Sequence, residues 1–142
     1  LDLIHCCDAY ASLHRAEGFG LGMAEAMKMG KAVIATNYSG NTDFTLADNA
    51  CLVDYTLQKV GPEELYYLQG NSVWADADVA QAADYMRRLV EDEDYRKRIG
   101  EKARSYMDEN HSSRQVGERY RRRLQLIGLL PGTEKEGGIV FL

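Results

Sequence analysis

Two glutamates, Glu17 and Glu25, are separated by seven residues, and between them three glycines, Gly18, Gly20 and Gly22, stand at alternate positions. Glycines in that spacing remove Cβ atoms where a ligand or another backbone must come close, and they open dihedrals that other residues avoid. From Leu21 the run Leu-Gly-Met-Ala-Glu-Ala-Met-Lys-Met reads as a helix. Its free N–H groups and positive end would face whatever sits over the turn, which makes a phosphate the natural guest. The dinucleotide fingerprint G-x-G-x-x-G/A fails in register, because Gly18 and Gly20 are followed by Met23, and Gly20 and Gly22 by Glu25. The carboxylates add a condition: each repels a pyrophosphate unless it is aimed at hydroxyl groups. The pattern therefore points to a ligand carrying both phosphates and sugars. A tight strand-to-helix connection with Glu25 as a solvated residue would also explain the glycines, and the paired glutamates are what favour a site.

Such a turn needs a strand before it and a helix after it. In Asp8-Ala9-Tyr10-Ala11-Ser12-Leu13-His14, Ala9, Ala11 and Leu13 share one face and Tyr10, Ser12 and His14 the other, the period of a strand. The turn thus lies at a strand's carboxyl end, the edge where open α/β sheets bind ligands. The helix from Leu21 stops at Gly30, with Lys28 near its negative end. Ala32-Val33-Ile34-Ala35-Thr36 follows as a short apolar run of the kind covered on both faces, completing a parallel βαβ unit. The next segment, Asn37 to Asp43, is dense in turn formers, and Ser39 or Asn41 is expected to cap a short helix through about Ala47. This loop should face the same crevice, making Asn41 and Thr42 candidates for lining the site, although turn-making alone accounts for them.

Ala50 to Val53 reads as a third strand, and Asp54 to Ala75 as a long loop carrying Gly61-Pro62, Tyr66-Tyr67, Gly70 and Trp74. Its aromatic side chains are expected to pack the loop onto the domain rather than stack on a substrate. Asp78 with Gln81 resembles a capping box, after which Val79, Ala82, Ala83, Met86, Leu89 and Val90 fall on one helical face. A helix from about Glu93 to Met107 would bury Tyr95, Ile99, Ala103 and Tyr106. A last one, opened by Ser112 and Gln115, would pack through Val116, Tyr120, Leu124 and Ile127 and end near Gly128. Its basic run, Arg119 to Arg123, is expected to be a solvated face, with contact to an anionic membrane or lipid-linked acceptor as the other reading. Residues 131–142 form a tail with no assigned role.

Length and charge set the outer limits. The chain has 142 residues, the size of one ordinary domain, and opens on Leu1 rather than Met within sequence that already reads as ordered, so a truncated piece of a longer protein is expected. A net charge of -5 gives no support for a general nucleic-acid surface. There is no apolar run long enough to span a bilayer, and a cytoplasmic location, with membrane association left open, is the default expectation. The three cysteines, Cys6, Cys7 and Cys51, lack metal-site spacing and are expected to be reduced, buried packing residues. The scattered histidines His5, His14 and His111 suggest no metal site.

The segment Glu17 to Thr36, followed by Tyr38-Ser39-Gly40-Asn41-Thr42-Asp43-Phe44, matches the E-x7-E signature of retaining glycosyltransferases of the GT-B fold. It resembles the donor domain of glycosyltransferase family 4 (group 1), over roughly Asp8 to Ile127. The resemblance implies a Rossmann-like α/β parallel sheet, the partial C-terminal half of a GT-B fold, followed by C-terminal helices. Residues 1–130 would be the nucleotide-sugar (donor) binding domain, N-terminally truncated. It implies a hexosyltransferase using a nucleotide-diphosphate sugar, with no metal or other cofactor. By analogy the backbone of Gly18, Phe19, Gly20 and Leu21 would contact the sugar hydroxyls and diphosphate, and Glu25 the ribose hydroxyls. Glu17, the catalytic residue, would sit beside the transferred sugar and stabilise positive charge at the anomeric carbon. The chain departs from its relatives in lacking the upstream Arg and Lys that neutralise the leaving diphosphate. The N-terminal domain for the acceptor, whether glycan, lipid or protein, is also missing, so the isolated piece is expected to be inactive. The alternatives are a non-catalytic sugar-nucleotide-binding module and a GT-B glucan synthase or phosphorylase relative.

Overall fold

A computed structural model describes residues 2–61 and 72–131. The chain divides into two compact units, Leu1–Asp108 and Glu109–Leu142. In the first, a short helix α1 (Asp2–His5) leads to three parallel strands, β1 (Ala9–Ser12), β2 (Ala32–Thr36) and β3 (Cys51–Val53), in spatial order β1-β2-β3. Ala9 faces Ala32 and Ser12 faces Ala35, while Ile34 and Thr36 face Cys51 and Val53. Every residue of β2 is buried, as its unbroken small and β-branched sequence requires of a central strand covered on both sides. Helix α2 (Leu21–Lys28) connects β1 to β2.

Alternation along β2 divides the core. Val33 and Ala35 join Met23, Ala24, Ala26 and Met27 of α2, Phe44, and Ala103 and Met107. Ala32 and Ile34 turn the other way, toward Cys51, Val53, Ala82, Leu89 and Ile99, with Ala9 and Leu13 alongside. Helix α3 (Val79–Glu91) serves the second cluster only, whereas α4 (Glu93–Asn110) supplies residues to both. It can do so because Gly100 lets its backbone touch that of Gly30, just before β2 begins: a Cβ on Gly100 would overlap the Gly30 carbonyl oxygen. Thus α4 passes the amino end of β2, leaving the carboxyl ends of the strands to the loops. Among the described residues β1 pairs with β2 alone, and beside its free edge lies a cavity of about 350 Å³ lined by Tyr10, Ile34, Met86, Leu89, Val90 and Arg96 among others.

Several expectations are corrected. The segment from Asp54 is not simply a loop: its ends form an antiparallel ribbon, β4 (Tyr55–Lys59) against β5 (Val73–Ala77). Tyr66, Tyr67 and Gly70 lie outside the described residues, while Trp74 lies in β5 with the Arg15 guanidinium 4.4 Å from its ring centre. Ser39 does not cap a helix through its side chain. The next element is only a short 3₁₀ turn, Gly40–Asp43, and the Ser39 hydroxyl is committed to Glu17 instead. On α3 only Ala82 and Leu89 are buried; Val79 and Val90, at 68% and 78% exposure, lie off the stripe that meets the sheet. Asp78 does accept from the Gln81 N–H, but the Gln81 side chain turns to Asp54 rather than closing the box. Cys6 and Cys7 are exposed, and Cys51 alone among the cysteines is buried.

In the second unit α5 (Ser113–Leu126) starts as its sequence dictates, with the Ser112 hydroxyl accepting from the Gln115 N–H. It has no fully buried residue: of the stripe expected to pack, Val116 and Leu124 are half-buried, while Tyr120 is 68% exposed and Ile127 50%.

Candidate functional site

After β1 the chain runs through His14 and Arg15 to Glu17, whose backbone N–H and carbonyl are both held. The Glu17 N–H donates to Ser39 Oγ (3.2 Å), and the Glu17 carbonyl accepts from Ser39 Oγ (2.7 Å) and from the Gly40 N–H (3.1 Å). The two loops touch so closely that a Cβ on Gly40 would overlap the Gly18 carbonyl oxygen. Ser39 reaches this position with φ of 77°, the one non-glycine residue with positive φ among those described. Glu17 is half-buried, and its Oε1 accepts from the Gly18 N–H at 3.0 Å, which curls the carboxylate back over the turn.

Beyond Glu17 the backbone is bare. A Cβ added to Gly18 would meet nothing within 4 Å, so its lack of a side chain leaves open space above the turn and is not needed for packing. Gly20 is required on two counts: φ of 94° at the N-cap of α2, and Met23 Cε only 2.5 Å from where a Cβ would stand. No side chain caps α2. The first intrahelical bond runs from the Ala24 N–H to the Gly20 carbonyl, so the N–H groups of Leu21, Gly22 and Met23 sit at the helix's open end. Phe19 lies against Phe44 with ring centres 5.0 Å apart and stays 40% exposed, and Leu21 is exposed at the same end. Glu25 is exposed one turn further along α2, on the face that carries Leu21 and away from the buried Met23, Ala24, Ala26 and Met27.

The second loop contributes differently at each position. Asn41 is fully buried; its Nδ2 donates to the Thr36 carbonyl (3.0 Å) and Thr45 Oγ1 (3.1 Å), and its Oδ1 lies 2.9 Å from His14 Nε2. Thr42 is exposed, its hydroxyl donating to the Ser39 carbonyl at 2.7 Å. Reasoning from spacing missed Ser39, Gly40 and His14, whose partners lie 22 to 27 residues away along the chain. It also missed two aromatic contacts around these loops: Tyr38 on Tyr55, ring centres 5.0 Å apart, and Arg15 over Trp74. A main-chain bond from the Ala75 N–H to the Arg15 carbonyl (2.9 Å) fastens the ribbon to the loop after β1.

Chemically, the arrangement offers backbone N–H donors at a helix end, a half-buried carboxylate fixed above them and a second carboxylate in solvent. Phosphate oxygens suit the donors and hydroxyl groups suit the carboxylates. Of the nearby lysines, Lys28 is paired with Asp108 and Lys31 donates to the His5 carbonyl. No cluster of three or more His, Cys, Asp or Glu side chains that could hold a metal ion occurs among the described residues, nor does a helix long and apolar enough to cross a membrane. The family model described as glycosyl transferases group 1 matches residues 1–106. No curated protein matches the sequence.

Proposed function

We propose, from the premise that this chain belongs to the group 1 glycosyl transferases, that it forms the donor side of a retaining hexosyltransferase that uses a nucleotide-diphosphate sugar. Membership of the family carries glycosyl transfer in general, with a sugar donor and an acceptor. The observation that supports the finer reading is the pairing of a fixed Glu17 peptide with a bare Gly18 beside the open end of α2. In this reading the N–H groups at that end take up the diphosphate of the donor. Glu25, held in solvent on α2, accepts hydrogen bonds from the ribose hydroxyls. Glu17 stands beside the hexose, binds its hydroxyls and stabilises the positive charge that grows at the anomeric carbon as the diphosphate leaves. The acceptor is chosen by surfaces beyond this turn.

Substitution tests the roles separately. In the protein that carries this chain, Glu17→Ala is expected to lower both donor hydrolysis and transfer by about 100-fold or more, as loss of a group aimed at transition-state charge does. Glu25→Ala is expected to act on donor binding, raising the donor KM by about 10- to 100-fold, the worth of hydrogen bonds to a charged acceptor. Full transfer by Glu17→Ala would refute the catalytic role of Glu17, and an unaltered protein that binds the donor without hydrolysing or transferring it would leave a sugar-nucleotide-binding module in place of the enzyme.

A further inference from the structure

The histidine that spacing left unassigned occupies the junction of both site loops. His14 Nε2 lies 3.0 Å from the Tyr38 carbonyl and 2.9 Å from Asn41 Oδ1, and its Nδ1 lies 3.3 Å from Ser12 Oγ. The proton positions follow from the partners. Asn41 Nδ2 spends its hydrogens on the Thr36 carbonyl and Thr45 Oγ1, so the Asn41 atom facing His14 is the oxygen, an acceptor. The Tyr38 carbonyl is an acceptor as well. Nε2 must therefore carry a proton that the two oxygens share, and in the neutral ring Nδ1 then accepts from the Ser12 hydroxyl. A neutral imidazole protonated on Nε2 satisfies every neighbour at once.

From this ring two short paths reach the turn. One goes through the Tyr38 carbonyl to the adjacent Ser39, whose hydroxyl bonds both the N–H and the carbonyl of Glu17. The other goes through Asn41, whose Cβ lies 3.4 Å from where a Cβ on Gly20 would stand. We propose that His14, as its Nε2–H tautomer, is a positioning residue for the donor site: it locks the Tyr38–Asn41 loop in the one place from which Ser39 and Gly40 can hold Glu17. The proposal rests on the donor-site reading of Glu17 but concerns a residue outside the turn. Without the Nε2 proton, Asn41 Oδ1 is a buried acceptor lacking its donor, and the loop has reason to shift. A displacement of Glu17 by about an ångström at the reacting centre lowers turnover by about 100-fold.

Three measurements, on the unaltered chain and two variants, decide the matter. The 15N resonances of the His14 ring are expected to show a protonated Nε2 and an unprotonated Nδ1, and the reverse pattern would overturn the proposal outright. His14→Leu removes the donor at similar volume. It is expected to speed hydrogen exchange of the Gly40 amide by about tenfold or more while leaving the Ala24 amide in α2 unchanged. With uridine, guanosine and adenosine diphosphate hexoses as probes, it is expected to lower kcat by about 10- to 100-fold, with a smaller change in donor KM. His14→Gln, which can place an amide N–H toward the same oxygens, is expected to restore most of both effects. Native Gly40 protection in His14→Leu, or equal defects in the Leu and Gln variants, would refute the positioning role. Should the unaltered protein neither bind nor turn over any of these donors, the donor-site reading fails, and ring tautomer and Gly40 exchange still decide whether His14 holds the loop.

Discussion

Thr36 closes β2 with its side chain fully buried, and its hydroxyl has no hydrogen-bond partner among the described residues. Its carbonyl accepts from Asn41 Nδ2 and from the Tyr38 N–H. An unsatisfied buried hydroxyl costs about 1–3 kcal/mol, and valine has the same shape without the polar atom. Thr36→Val is therefore expected to raise the unfolding free energy by about 1 kcal/mol in denaturant titration. A decrease would mean that the hydroxyl is hydrogen-bonded in solution. The same neighbourhood shows what single residues disclose and what they conceal. Glu17, Gly18 and Gly20 stand out in the sequence because they fall within a few consecutive positions, and the turn they make is the one their spacing calls for. Ser39 was misread because a serine beside Gly40 and Asn41 looks like a cap, and the competing acceptor, the Glu17 carbonyl, lies 22 positions upstream. His14 left no sequence signal, since a lone histidine shows a donor's worth only when a buried oxygen faces it.

Helices were read well where their ends are self-contained. Asp78 and Ser112 each accept from an N–H three residues on, so these two starts follow from local capping. The β4–β5 ribbon escaped notice for the opposite reason. Its strands are separated by residues 60–72 with no two-residue turn between them, and the alternation of Tyr55 and Leu57 with Thr56 and Gln58 is too short to mark β4 by itself. The faces of α3 were only partly legible, because a helix lying on a short sheet buries a narrower stripe than its apolar positions suggest. Contact between elements also decides the sign of two glycine substitutions. In an open helix, Gly→Ala gains up to about 1 kcal/mol, and Gly117→Ala in α5, where a Cβ meets nothing within 4 Å, should show it. At Gly100 the clash is with the backbone of Gly30, which cannot yield as a side-chain end would. Gly100→Ala is accordingly expected to lose about 1–3 kcal/mol, seen as a lower melting temperature.

At the scale of the whole molecule, stability should depend on alkaline pH through one contact under the sheet. Cys51 Sγ lies 3.5 Å from Tyr95 Oη, with the Arg88 guanidinium 3.7 Å from the Tyr95 ring centre. Burial pushes the Cys51 thiol above its ordinary 9.0 and the Tyr95 phenol from 10.0 up to about 12, against the partial opposition of Arg88. Tyr85 is raised as well, again chiefly by burial. Each is an acid that holds its proton more tightly when folded, so unfolding releases protons in this range and stability falls as pH rises. The contribution is complete below pH 9.0 and fades as pH climbs past 10.0 toward about 12. Denaturant titrations between about pH 8 and pH 11 should show this decline, and Tyr95→Phe should flatten it. The α/β class and the parallel unit were evident from the sequence because β2 carries its double coverage in its own residues. That α5 buries none of its residues fully could not be read there, since an apolar stripe states a need without naming what meets it. The one-sided bonding of β1 bears on handling. Among the described residues the second edge of β1 is unbonded and lies beside a greasy hollow, which is a template for a neighbouring molecule. Turbidity on concentration is then to be met with a charge at the exposed Ala11 rather than a search for better salt.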